Sequence, residues 1–259
     1  MRKTSGAEAR ALRIARMQEL VDADGPLALK RAAQVLEVTE MTLRRDLAGG
    51  ESPLSCLGGY VLAANLPAGE RYSLDVATDQ HAANKRLACQ RAAQQVQDGD
   101  SLFIDCGTTM VHFAEALPVD LSLSVACYSL NIANILSRRP HTQVMLLGGL
   151  FHSSSATFFS DEGLAYLERL GINKAFISAG GVHPQRGASC SNFHEVPVKQ
   201  AALRSAAESF LVVDESKLDR VRPAFFAGLE PFSKIVVGGS TSAETRRLFK
   251  ELPLDIAKA

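Results

Sequence analysis

No two cysteines in this chain are spaced for a metal site or a redox couple. The five, at 56, 89, 106, 127 and 190, are odd in number, widely separated and form no CxxC pair. That argues against a disulfide framework and a zinc site, and free thiols in a reducing compartment are expected. The six histidines show no ligand spacing either, so neither a metal nor a cofactor is expected. An excess of one charge is also missing: 28 basic side chains face 28 acidic ones, and residues 1–50 hold 9 basic and 7 acidic groups. No bulk field therefore demands a polyanionic partner. Apolar runs stay well short of the ~20 residues that span a bilayer. The basic start, MRKTSGAEARALRIARMQEL, lacks the apolar core of about 7–15 residues and the cleavage site of a signal peptide. A soluble, cytoplasmic protein without membrane association is expected.

What is there is the composition of an ordinary globular protein, 46% hydrophobic and 22% charged over 259 residues. That length suits one large domain, or a medium domain with a small module attached. Neither an internal repeat nor a low-complexity tract appears. The pattern changes partway along. Residues 7–22 read as a helix with Ile14, Met17 and Val21 on one stripe and Arg10, Arg13 and Arg16 mostly off it. After the turn signal 22-DADGP-26, a second helix is predicted over 27–36, with Ala32, Ala33 and Leu36 inward. A third follows at about 39–48, then a breaker at 49-GGESP-53 and a small hairpin at 54–63. Beyond a weakly patterned stretch at 64–80, short apolar runs at 101–105, 123–127, 143–148, 174–180, 210–214 and 234–238 alternate with helical patterns near 82–97, 109–117, 129–138, 161–170, 195–209 and 241–251. Strands apolar throughout and separated by helices imply a largely parallel sheet covered on both faces. The expected domains are a head over 1–63, a linker over 64–80 and an α/β body over 81–259.

In the head, two short helices with a tight break between them, preceded by a third, make a helix-turn-helix pattern. With about 100° per residue and Leu43 inward, Leu47 lies beside it, Arg44 is lateral, and Met41, Thr42 and Arg45 face outward. Thr39 is a sound N-cap. Hydroxyl, thioether and guanidinium groups so placed can reach phosphates and the guanine edge in the major groove. The bland alternative is a solvated face on which Arg44 or Arg45 pairs with Asp46 or Glu40. The turn carries Glu37 where glycine is often found, so a strained left-handed residue is expected there.

In the body, 102-LFIDCGTTM-110 ends an apolar strand in Asp105 and opens a helix with Gly107, Thr108 and Thr109. Free N–H groups, two hydroxyls and a glycine form a phosphate cradle, with Asp105 beside it to accept from sugar hydroxyls. A glycine turn capped by Thr108 reads equally well from the same residues. Ser129 and Asn131, Gly148 and Gly149, and Gly180 and Gly181 follow other strands, where ligands gather in open α/β sheets. Glu195 and Lys199, four apart, would otherwise be a surface helix pair of about 0.3–0.5 kcal/mol. Asp214 and Lys217 lie just past a strand, and the lysine could reach a phosphate. Cys106 has no evident base to activate it, so a catalytic cysteine is not expected.

The segment 27-LALKRAAQVLEVTEMTLRRDL-47 resembles the helix-turn-helix of the DeoR family of bacterial transcriptional repressors, and 55-SCLGGYVL-62 resembles that family's wing, with Cys56-Leu57 where many members are basic. DCGTT, CYSLN, AGGVH, E-x-x-x-K and DESK resemble the family's effector domain. The resemblance implies a winged helix-turn-helix joined to an α/β domain similar to ribose-5-phosphate isomerase and glucosamine-6-phosphate deaminase, α+β overall. It further implies a repressor of a sugar or nucleoside catabolic operon that is not an enzyme. Double-stranded operator DNA would meet Lys30, Arg31, Thr39, Met41, Thr42, Arg44 and Arg45. A phosphorylated sugar, deoxyribose-5-phosphate first, would meet Asp105, Gly107, Thr108, Thr109, Ser129, Asn131, Gly148, Gly149, Gly181, Glu195, Lys199, Asp214 and Lys217. Two-fold operators imply at least a dimer. The alternatives are an isomerase or deaminase carrying an accessory helical head, and a DNA-binding protein whose body serves only to oligomerise.

Overall fold

Met17, Val21, Leu43 and Leu47 close a small core with Leu27, Leu29, Ala32, Ala33, Leu54 and Val61. They do so in the first of two compact units, Met1–Glu70 and Arg71–Ala259, of a computed structural model that describes residues 6–24, 27–48, 52–57, 60–63 and 81–258. The expected linker at 64–80 and the wing glycines Gly58 and Gly59 lie outside the described residues.

In the first unit, α1 (Gly6–Asp24) is followed by β1 (Leu27–Ala28), α2 (Leu29–Val35), α3 (Glu40–Ala48), β2 (Leu54–Leu57) and β3 (Tyr60–Ala63). The strands form an antiparallel sheet in the order β1-β3-β2. Residues 27 and 28, predicted as the start of a helix, instead pair with Val61 and Tyr60. Pairing buries Leu27 against the wing and overrides its local helical pattern. Between α2 and α3 the chain reverses at Glu37, whose φ is 53°. The Val38 N–H bonds the Ala33 carbonyl at 3.0 Å and the Glu37 N–H bonds that of Gln34 at 3.3 Å. This is the Schellman closure of a helix, with a glutamate in the position that glycine usually takes.

The second unit is built on seven parallel strands in the order β15-β14-β12-β9-β4-β5-β6. They are β4 (Ser101–Ile104), β5 (Leu123–Cys127), β6 (Thr142–Leu146), β9 (Ile172–Ile177), β12 (Ala206–Asp214), β14 (Lys234–Gly238) and β15 (Leu254–Ala257). Both faces are covered, as a parallel sheet requires. Against one face, Leu102, Ile104, Val125 and Phe176 pack on α4 (Ala82–Ala93), α5 (Thr108–Ala116) and α6 (Leu130–Leu136). On the other, Phe103, Ala175, Ile177 and Leu211 meet α7 (Asp161–Leu167) and α8 (Val196–Ser205), together with a small antiparallel sheet of β10 (Gly181–His183), β11 (Gly187–Cys190) and β13 (Ala224–Ala227). A hairpin, β7 (Leu150–His152) with β8 (Thr157–Phe159), and a last helix α9 (Ala243–Leu248) complete it.

Two sequence expectations shift. The helix predicted over 195–209 ends at Ser205, because Ala206, Glu208 and Ser209 pair with Ile172, Lys174 and Ala175 of β9. The hairpin and the small antiparallel sheet have no counterpart in the sequence pattern. No helix among the described residues is long and apolar enough to cross a membrane.

Candidate functional site

The strand order places the functional crevice. From β4 the chain builds outward through β5 to β6, then returns to pair β9 directly with β4 and builds the other way. Such a reversal leaves a crevice beyond the carboxyl ends of the two strands at which it occurs. Here those ends carry Asp105 and Ser178.

Asp105 is fully buried and saturated with donors. The Ser178 N–H and hydroxyl lie 2.8 and 2.9 Å from Oδ2, Lys199 Nζ donates to the same oxygen at 2.5 Å, and the Tyr128 hydroxyl donates to Oδ1 at 2.7 Å. Lys199 also donates to the Ser178 carbonyl at 3.2 Å and lies 3.8 Å from Glu195. Burial pushes the Lys199 ammonium down, but the Asp105 carboxylate, with Glu195 beside it, outweighs this and holds the pKa above the usual value. Burial pushes the Glu195 carboxyl up against the pull of Lys199, and Asn192 Nδ2 donates to its Oε1 at 2.7 Å. For Cys106, burial first and then Glu195 and Asp105 raise the thiol well above its ordinary range.

Above this network a pocket is lined by Gly107, Thr108, Thr109, Glu195, Lys199 and Lys217 from the sequence expectation, and by Lys85, Ser178, Asn192 and Arg222, which sequence did not supply. Gly107, with φ at 93°, is the N-cap of α5 and makes no side-chain cap. Thr108 does not cap the turn; its Oγ1 accepts from Lys85 Nζ at 3.0 Å. Lys85 is only 2% exposed. Its place on the apolar stripe Lys85-Ala88-Cys89-Ala92 of α4 was the signal that could have found it.

Other expected residues lie elsewhere. Ser129, Asn131, Gly148, Gly149, Gly181 and Asp214 are not among the pocket's lining residues. Gly149 has φ at 138°, and a Cβ there would collide with the Phe159 carbonyl oxygen, so it lets the chain pass close to the end of β8 at the base of the β7–β8 hairpin. A Cβ on Gly181 would meet the Arg220 carbonyl at 2.7 Å. Ser129 bridges to Thr157 of β8, and Asn131 sits in the first turn of α6. Asp214 is buried below Lys217, 3.9 Å away, and its Oδ1 accepts from Ser216. His183 accepts from the Gln185 and Arg186 N–H groups at 3.2 Å. His194 stacks on His152 at 3.7 Å.

In the first unit, Leu43 and Leu47 are buried, while Lys30, Arg31, Thr39, Met41, Arg44 and Arg45 are exposed and Thr42 is half-buried. Thr39 Oγ1 accepts from the Thr42 N–H at 3.2 Å, the expected N-cap bond. Arg44 reaches sideways to within 3.9 Å of Cys56 Sγ on the wing strand β2. Asp46 pairs with neither neighbouring arginine. Its carboxylate takes Arg13 of α1, at 2.6 and 3.1 Å.

Residues 13–60 match the DeoR-like helix-turn-helix domain, and residues 80–239 match the DeoR C terminal sensor domain. The chain belongs to the DeoR family. It is 40% identical to the deoxyribose operon repressor of Escherichia coli (strain K12) over 220 residues, 85% of this chain and 86% of that one. It is 26% identical to the lactose phosphotransferase system repressor of Streptococcus mutans serotype c, covering 92% of this chain and 96% of that one. Among solved structures it is similar to ribose 5-phosphate isomerase A from Neisseria gonorrhoeae, with 18% identity, 54% of each chain covered and a TM-score of 0.40. As a DeoR-type transcriptional repressor of the sugar-operon kind it is a regulator and not an enzyme, and the reading as an isomerase with an accessory head gives way.

Proposed function

We propose that the pocket of the second unit is a sensor site for a phosphorylated sugar, with the phosphate at the N-terminus of α5 and the sugar over Lys199, Glu195 and Asn192. One observation carries this reading: Gly107, the N-cap of α5, makes no side-chain cap, and Gly107, Thr108 and Thr109 line one pocket together with Lys85 and Lys217. An exposed helix N-terminus with nearby cations is a favourable place for a dianion. Asp105 is saturated by protein donors, so it orients Lys199 and Ser178 and does not itself receive the ligand. Deoxyribose-5-phosphate is the first effector to test, because the deoxyribose operon repressor is similar over most of the chain.

The outward residues of α3, with Lys30 and Arg31, form the operator-reading face, and pairs of half-sites call for at least a dimer. The pocket reading is tested by calorimetric titration with deoxyribose-5-phosphate, ribose-5-phosphate, deoxyribose and inorganic phosphate. Binding of the first with no heat from free deoxyribose supports it. Equal binding of the phosphorylated and free sugar contradicts it.

A further inference from the structure

The arginines of the first unit are sorted by what holds them. On α1, Arg10 donates through Nε and Nη2 to the Asp46 carbonyl at 3.0 and 2.9 Å. One turn on, Arg13 forks onto the Asp46 carboxylate, and Arg16 pairs with Glu19 at 2.5 Å. On α3, by contrast, Arg44 touches only a wing thiol and Arg45 has no acceptor among the described residues. Asp46 is 7% exposed, and it is the one buried charged residue among the described residues of this unit. It lies in the last turn of α3, directly after Arg45.

From this geometry we infer that Asp46 is a positioning and specificity residue for operator recognition: it locks the recognition helix to α1 and withholds the Arg13 guanidinium from DNA phosphate. The lock has two independent points. The carboxylate receives a planar fork, which fixes rotation as well as distance. The backbone carbonyl belongs to the group left without intrahelical partners at a helix C-terminus, and Arg10 satisfies it while placing positive charge where the helix dipole favours it. Together they set the angle at which Arg44 and Arg45 leave the core. The partner choice also matters electrostatically. A guanidinium freed on α1 would bind any phosphate, raising affinity for all sequences alike and diluting selectivity.

This rests on α3 being the DNA-reading helix, a reading tested separately by whether the wild-type chain prefers a selected duplex at all. The experiment uses the full chain, a duplex enriched from a random library by the wild-type protein, and a mixed-sequence duplex of equal length. Asp46→Asn is expected to weaken binding to the selected duplex at least tenfold. Binding to the mixed duplex holds or tightens, and the slope of log affinity against log salt steepens by about 0.9 for each further phosphate that the protein neutralises. Arg13→Lys, which keeps the charge and loses the fork, should lower the ratio of the two affinities in the same direction. If Asp46→Asn does not fold, as judged by calorimetry, Arg13→Lys decides. An unchanged affinity ratio and salt slope in a folded variant overturns the inference. So does a loss by one common factor on both duplexes, which marks a purely structural role.

Discussion

Both units bury charge, and they do so for different ends. In the head Asp46 is held by two arginines, Arg13 on its carboxylate and Arg10 on its backbone carbonyl. In the body Asp105, Lys199, Glu195 and Lys85 are all buried, and three of the four line a pocket. Enclosed charge fixes how elements meet. Charge beside a cavity, next to a helix end whose N-cap is glycine, is what the proposed sensor site would use.

The sharpest way to break this comparison is to destroy one unit and watch the other. Leu43→Asp puts a charge at a position with no exposure, and desolvating it costs more than so small a core can supply. The head transition should vanish in calorimetry while the body transition stays, and loss of both would show one cooperative unit. Next in size, Lys199→Met leaves the Asp105 carboxylate buried without its cation, at a cost of about 3–5 kcal/mol. Urea titration of the body should show that fall, whereas a change under about 1 kcal/mol would mean the network is not coupled to folding.

Acid probes the body through two buried imidazoles. Burial lowers the pKa of His152 to about 4 and, joined by His152 and Lys199, that of His194 to about 3. Both folded values lie below the unfolded one, so this stability is complete above pH ~6.5 and is lost as pH falls toward the folded values. Each imidazole should remove roughly 1.4 kcal/mol per pH unit within that window. His194→Gln should flatten the dependence, and an unaltered slope would place the titration elsewhere. Smallest and most local, Arg45→Ala should leave folding intact and cost about 1–3 kcal/mol at one operator position. A uniform loss on all duplexes would assign Arg45 to phosphate instead.

Much of this architecture was legible in the residues. Apolar runs marked six of the seven parallel strands. Five of them lie inside the sheet, largely buried, and show no polar alternation. The edge strand β6 was found by its apolar Val144, Met145 and Leu146, although it is largely exposed. The seventh, β15 at Leu254–Ala257, is half-buried throughout and carries an aspartate, so its pattern is weak. Leu43, Leu47 and Thr39 behaved as helical periodicity and capping required. What escaped were contacts between distant segments. Ala206–Ser209 look helical and become strand only because β9 accepts them. Gly149 and Gly181 resembled ligand-binding glycines, yet each admits a neighbouring backbone. Lys85 and Asn192 enter the pocket from elements whose proximity to residue 107 no local pattern encodes, and the grip of Arg10 and Arg13 on Asp46 spans 36 and 33 positions.

The central claim is that the open N-terminus of α5 receives a phosphate. Calorimetric titration of the wild-type chain and of Thr108→Val with Thr109→Val, each with deoxyribose-5-phosphate, tests it directly. The substitution keeps side-chain shape and removes two hydroxyls, each worth about 1.5–3 kcal/mol if it bonds a charged group. The wild type should bind, and the double variant, once calorimetry shows that it is folded, should bind at least about 100-fold more weakly. Equal affinity in the two proteins would contradict the claim and leave Gly107–Thr109 as a structural turn.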